Sequence, residues 1–269
     1  MEQLKNPREL LDAAERKRQT NQLAPTLSQA EPDARQDTPD NAWDRLSEIT
    51  LDPLTIARNG LSGLSADEAQ EPIDQLRTRL VLQMRDKGYR RIGLTSPTRG
   101  AGRTTVVGNL ALSLSRRKDL RSLVFDFDLA NPDLITRFGL EKVGPKFSAL
   151  EYSRRNFATN CLRLGYNVGL SLHSNPADGS SELLASRKTR NLIDDITTDF
   201  DPDIMLFDMP PVLEGDAGLA MLDMLDAVLV VVRADQGTIR QADLAERLVS
   251  ERCNCLGVIL NECRFPPKA

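Results

Sequence analysis

Three apolar runs most narrow what this chain can fold into: "DIMLFDMPP" (203–211), "DAVLVVVRA" (226–234) and "LGVILNE" (256–262). Each is continuous rather than alternating, which marks a strand covered on both faces, as in a parallel sheet flanked by helices. The intervening residues supply those helices. Ile73, Leu76, Leu80, Val81 and Met84 recur at helical spacing, and Lys87 and Gly88 suit a last turn and its cap. "RRIGLTS" (90–96), "RSLVFDFD" (121–128) and "VGLSLHS" (168–174) read as further strands. "TTVVGNLALSLSRR" (104–117) is a helix whose buried stripe is Val106, Val107, Leu110, Ala111 and Leu114. "SSELLASRKTRNLIDDITTDF" (180–200), capped by Ser180 or Ser181, and "TIRQADLAERLVSERCN" (238–254) are helices too. Strands alternating with helices, with no hairpin signals, predict an α/β fold with a doubly wound, mainly parallel sheet.

That pattern begins only at Glu71. Residues 1–70 read as an N-terminal extension, largely disordered, and 71–265 as the folded domain. "DAAERKRQTNQLAPTLSQAEPDARQDTPDNAW" has few large apolar groups to offset chain entropy. "PRELLDAAERKR" reads as a short helix within it. Trp43, Leu46, Ile49 and Leu51 form an apolar island, read either as a segment that packs on the domain or as a partner-binding peptide. On composition alone, removing residues 1 to about 60 leaves a folded core.

A net charge of −4 gives no electrostatic reason to expect a nucleic-acid partner. No apolar run reaches the ~18 residues of a membrane span, and the opening "MEQLKNPREL" has no apolar signal-peptide core. The reading is therefore cytoplasmic, without direct membrane insertion. Cys161, Cys253, Cys255 and Cys263 form no C-x-x-C pair and read as packing residues. His173, the single histidine, reads as a strand-end residue rather than a catalyst.

Ligands in doubly wound sheets sit at the carboxyl ends of strands, and polar residues gather at those ends here. After "RIGLTS" comes a glycine-rich loop that opens a helix. Gly100 and Gly102 let backbone N–H groups face phosphate oxygens, and the helix N-terminus adds favourable partial charge. Thr104 stands where a hydroxyl would ligate Mg²⁺. Asp126 and Asp128, two apart on a strand, share a side and can address one metal or one water. Asp208 ends another apolar strand, where a magnesium-organising carboxylate would stand.

These motifs, in this order, resemble the cytoplasmic domain of the bacterial tyrosine kinases (BY-kinases) of capsule and exopolysaccharide biosynthesis. That domain is a P-loop NTPase fold of the deviant Walker class shared with the Min and Par ATPases. The first motif is Ser96-Pro97-Thr98-Arg99-Gly100-Ala101-Gly102-Arg103-Thr104-Thr105, the second Asp126-Phe127-Asp128-Leu129-Ala130-Asn131-Pro132, and the third "MLFDMPPV". "SELLAS", "VVVRADQGTIR" and "GVILNE" resemble further family segments, and the likeness runs from about Glu71 to Arg264. It implies ATP or ADP, Mg²⁺ and phosphoryl transfer. Arg99, Gly100, Ala101, Gly102, Arg103, Thr104 and Thr105 would cradle the nucleotide, with Asn261 near the adenine. Thr104, Asp128 and Asp208 would hold the metal; Arg103, Asp126 and Asp128 would be catalytic. The implied partner is a membrane chain-length determinant (a polysaccharide co-polymerase) that recruits the protein to the inner membrane. A homo-oligomer is possible in the family.

The departures bear on function. Arg103 replaces the P-loop lysine: it keeps the charge, but its planar fork does not fit where a compact ammonium does. The family's C-terminal tyrosine cluster has no counterpart, since the three tyrosines are Tyr89, Tyr152 and Tyr166. The oligomerisation pattern E-x-x-R-x-x-R reads Glu71, Asp74, Arg77, a charge reversal at its centre. Thr98 occupies the position of the Min and Par signature lysine, which favours the polysaccharide branch over a division or partition ATPase. Two readings stay open within that branch: a working kinase or ATPase, and a non-catalytic nucleotide-binding regulator.

Overall fold

In a computed structural model the apolar runs become the middle of one eight-stranded sheet. The structure describes residues 38–62, 70–141 and 153–263. The expected helix at "PRELLDAAERKR" and the loosely ordered start of the chain lie outside the described residues. Along the described chain the elements are α1 (Pro39–Asp44), β1 (Ser47–Ile49), α2 (Pro53–Arg58), α3 (Glu71–Lys87), β2 (Arg91–Thr95), α4 (Arg103–Ser115), β3 (Ser122–Asp126), α5 (Leu134–Arg137) and α6 (Arg154–Asn160). They continue as β4 (Leu162–Leu164), β5 (Val168–Ser171), α7 (Ser180–Ala185), α8 (Arg187–Phe200), β6 (Ile204–Asp208), α9 (Ala217–Ala220), β7 (Ala227–Arg233), α10 (Ile239–Ser250) and β8 (Asn254–Asn261). The strand order is β1-β4-β5-β3-β6-β2-β7-β8.

Every pairing is parallel except β4 with β5. That antiparallel pair turns over Gly165 at φ +61°, a conformation glycine adopts without the Cβ clash. It is the hairpin the sequence reading did not expect.

The central strands feed two cores, one on each face. Along β7, Ala227, Leu229 and Val231 join one core while Val228, Val230 and Val232 join the other. β6 divides likewise, Ile204 and Leu206 against Met205 and Phe207. Period-two alternation with apolar residues on both sides is why these runs showed no polar alternation. Helices α3 and α4 cover the first face; α8 and α10 cover the second. Ser186 splits the helix expected over 180–200: it is extended (ψ 146°) and its Oγ accepts from Thr189 N, so α8 starts afresh there.

The domain boundary near residue 70 needs correction, because residues 38–62 are built into the fold. β1 pairs with β4 at the sheet edge. Ala42, Trp43 and Leu46 join one core, and Leu51, Ile56 and Leu61 join the other. The segment thus straps the edge and packs on both faces, which settles the reading of the Trp43 island in favour of packing. Polar loop residues diluted its composition without removing its anchors. Gly108 in α4 makes room for this strap, since a Cβ there would meet Leu61 Cδ2 at 2.8 Å.

Candidate functional site

The chain leaves β2 for β3, which lies beyond β6, and leaves β6 for β7, which lies beyond β2. The two connections diverge, so a crevice opens at the carboxyl ends of these neighbouring strands. The glycine loop rises from β2 into it. Gly100 and Gly102 stand at φ +79° and +82°, and the first turn of α4 has no side-chain cap, leaving its N–H groups for a ligand or water. A cleft of about 440 Å³ lies over the loop, lined among others by Arg99, Gly100, Thr104, Asn131, Asp133 and Arg137.

Arg103 lines that cleft together with Ser96 and Asp128 but stays almost wholly buried. It is 7% exposed, and its guanidinium turns inward between two acids. Nε donates to Asp208 Oδ1 at 2.8 Å, Nη2 to Asp128 Oδ2 at 2.5 Å, and Nη1 to Ser96 Oγ at 3.1 Å. A planar fork can reach three acceptors that diverge in this way, whereas an ammonium is a single point. Asp128 and Asp208 are themselves buried. Taking one member from such a buried group costs about 3–5 kcal/mol, because it strands the opposite charge.

Asp126 lies opposite Asp208 in the register of β3 and β6, but it points elsewhere. Its Oδ2 accepts the backbone N–H groups of Asp133 and Leu134, at 3.2 and 3.0 Å, where α5 begins. The expectation that Asp126 and Asp128 address one point therefore gives way to a division: Asp126 binds a helix start, Asp128 binds Arg103. Complete burial, then the charge of Asp208, raise Asp126 well above the usual carboxylate range. Burial also raises Asp208, opposed by the Arg103 guanidinium and the Thr104 hydroxyl. Asp126 Oδ1, Asp128 Oδ1 and Asp208 Oδ2 are buried without hydrogen-bond partners.

The remaining predicted residues surround this centre. Arg99 is half exposed and pairs with Glu214, its Nε 3.2 Å from Oε2. Thr104 and Thr105 line the cleft. Asn261 ends β8 beside the loop, and its Nδ2 donates to Ala101 O at 2.9 Å. It fastens the loop, and a Cβ on Gly102 would come within 2.1 Å of that Nδ2. Three contributors went unread in the sequence. Ser96 opens the first motif, but nothing in the sequence gives its bond to Arg103. Asp133 and Arg137 were legible as an i,i+4 pair, 2.7 Å apart, but nothing local placed them on the cleft. His173 is buried, as a strand-end residue should be, and burial lowers its pKa to about 4.

Magnesium takes oxygen ligands in near-octahedral geometry at about 2.0–2.1 Å. The two carboxylates expected to serve it are both engaged by one guanidinium. No cluster of three or more acidic, histidine or cysteine side chains able to hold a metal occurs among the described residues. As arranged, a divalent ion at these acids would have to displace the Arg103 guanidinium or sit beside its charge.

A strand, a glycine loop and a helix, with acids at the ends of the two adjacent strands, define a P-loop NTPase fold. The resemblance read from the motifs holds in sequence and in fold, and it points to the bacterial tyrosine kinases. No family model matches the chain. It is 27% identical over 193 residues to the tyrosine-protein kinase YwqD of Bacillus subtilis, covering 69% of this chain and 78% of that protein. It is 26% identical over 216 residues to the putative tyrosine-protein kinase AmsA of Erwinia amylovora, spanning 78% of this chain but 29% of that protein. In fold it is similar to the chimerical protein CapA2B2, with TM-score 0.65, 23% identity, and 82% and 94% of the two chains covered. It is also similar to the septum site-determining protein MinD of Pyrococcus horikoshii, solved with Mg-ADP, with TM-score 0.52, 20% identity, and 66% and 74% covered. Among the described residues no helix is long and apolar enough to cross a membrane.

Proposed function

We propose that this chain is a nucleotide-binding regulator built on a BY-kinase-type P-loop domain, and that it binds ATP or ADP without efficient turnover. The observation that carries this is the seating of Arg103. The cation that should attend the transferring phosphoryl group is bonded instead to Asp128 and Asp208. Phosphoryl transfer rests on positioned positive charge, and misplacement by about 1 Å can cost about 10²-fold in rate.

In this reading the N–H groups of Gly100 to Thr105 hold the phosphates, and Arg99 and Arg137 supply charge at the rim. Their ion pairs with Glu214 and Asp133 are partly exposed, and such pairs exchange partners at little cost. Asn261 holds the loop in shape. Asp126 anchors the start of α5 and so the segment that forms the far wall of the cleft.

The setting we infer is regulation of exopolysaccharide or capsule polymerisation and export, through a membrane chain-length determinant that recruits the protein from the cytoplasm to the inner membrane. Asp74, where the oligomerisation motif carries arginine, is bonded within its own chain to Arg77, Arg116 and Ser113, which favours a domain that does not assemble through that motif.

The names of its sequence relatives favour a second reading, an ATP-dependent tyrosine kinase. Nucleotide titration and phosphate release, measured on one preparation, separate the two. Binding with release no faster than in Asp208→Asn supports the regulator. Release well above that control supports the kinase, and the absence of binding removes both.

A further inference from the structure

We propose that the Arg103 guanidinium is a built-in replacement for the divalent cation of this site, so that the cleft takes its nucleotide free of metal. The nucleotide part rests on the reading above; the exclusion of metal does not.

The argument is one of charge and space. Two buried carboxylates at the ends of neighbouring strands need a counter-charge, because an unpaired buried charge is costly. A P-loop site can supply it with a bound metal. This chain supplies it covalently. Arg103 is the first residue of α4, directly after the loop, and its side chain reaches both Asp128 and Asp208 with bonds of 2.5 and 2.8 Å. Its third bond, to Ser96 Oγ, ties the guanidinium to the end of β2. Ser96 Oγ in turn donates to Thr98 O, so the cation, the acids and the loop form one bonded set.

Asp126 is committed elsewhere, its Oδ2 accepting the backbone N–H groups of Asp133 and Leu134 at the start of α5. A divalent ion added beside the carboxylates of Asp128 and Asp208 would meet the Arg103 charge at close range. For the metal to enter, Arg103 would have to leave a site where it is more than nine-tenths buried and has three partners. The phosphates then depend on the uncapped first turn of α4 and on Arg99 and Arg137, which line the cleft.

The test uses the full chain and two readouts. ADP is titrated calorimetrically in excess Mg²⁺ and in excess EDTA. Equal dissociation constants are expected; a loss of about tenfold or more in EDTA overturns the proposal. Separately, Mn²⁺ binding is followed by electron paramagnetic resonance without nucleotide, alongside thermal melts with and without Mg²⁺. The wild type should bind no Mn²⁺ and melt at an unchanged temperature. Arg103→Ala should melt lower, gain one Mn²⁺ and recover part of its melting temperature in Mg²⁺. Should Arg103→Ala fail to fold, Arg103→Lys, which keeps a charge but cannot span both acids, is the substitute. Mn²⁺ bound by the wild type, or no metal gained by either variant, overturns the proposal. If ADP binds in neither buffer, the nucleotide reading falls, while the metal readout still decides whether Arg103 stands in for the cation.

Discussion

Replacing Trp43 with alanine decides whether the folded unit starts near residue 38 or near residue 71. The indole is 2% exposed. Its Nε1 donates to the Phe200 carbonyl at 2.7 Å, and its ring meets the Phe200 ring edge-on with centroids 6.0 Å apart. The Arg121 guanidinium lies 5.7 Å from its centroid. Truncating a buried aromatic of this size costs about 3–5 kcal/mol. Stranding the carbonyl that ends α8 adds about 1 kcal/mol where water does not reach it. The total of about 4–6 kcal/mol rivals the whole stability of a domain, about 5–15 kcal/mol.

Urea unfolding followed by far-UV circular dichroism measures this; fluorescence does not serve, because Trp43 is the one tryptophan. The midpoint should fall steeply with an unchanged slope. Trp43→Phe, which keeps most of the packing and loses the bond to Phe200, should cost about 1–2 kcal/mol. For the same reason a chain beginning at Glu71 should melt well below one beginning at Asp37. A cost under about 1 kcal/mol for Trp43→Ala, the range of surface substitutions, would refute the strap and restore the boundary near residue 70.

Two further outcomes follow from the site. Asp126→Asn should keep the fold and be more stable than wild type at neutral pH. A carboxyl whose folded pKa is raised stabilises the protein fully below its unfolded value of 3.8 and loses that contribution as pH rises through the folded value; melts from pH 4 to 8 should therefore show the variant's advantage growing with pH. Gly102→Ala should cost about 1–2 kcal/mol for its left-handed backbone and weaken ADP binding by displacing Asn261, as read by melting and titration.

The strand and helix order was legible because the runs at 203–211, 226–234 and 256–262 face two cores and need no polar alternation. The loop and its acids were legible because their chemistry sits at fixed offsets along the chain. β1 and β4 were not, since three residues carry no readable period, and the anchors at Trp43 and Leu61 gain meaning only when the strand between them reaches β4. The direction of Arg103 was also hidden. The residue alone allows a side chain turned to phosphate or to acid; the choice depends on Asp208 and Asp128 being brought to it by β6 and by the turn after β3, contacts 105 and 25 residues away.

That choice sets the sign of the last prediction: Arg103→Lys should raise ATP turnover. Wild-type Arg103 spans from Asp208 to Asp128 with Nε and Nη2, two nitrogens of one rigid plane. A lysine ammonium is a single point on a flexible stem. It can pair with one acid or turn outward to the phosphates, and in either case one carboxylate is released. A metal ion and the Thr104 hydroxyl then have an acid to work with, and the loop regains a cation where charge develops in transfer. Asp126 and its grip on α5 are untouched, so the far wall of the cleft stays in place. Steady-state phosphate release by wild type and Arg103→Lys, with Asp208→Asn as the control, gives the answer. Release by wild type well above both others would mean that the site was rebuilt around arginine and that its bonds to Asp128 and Asp208 open during turnover.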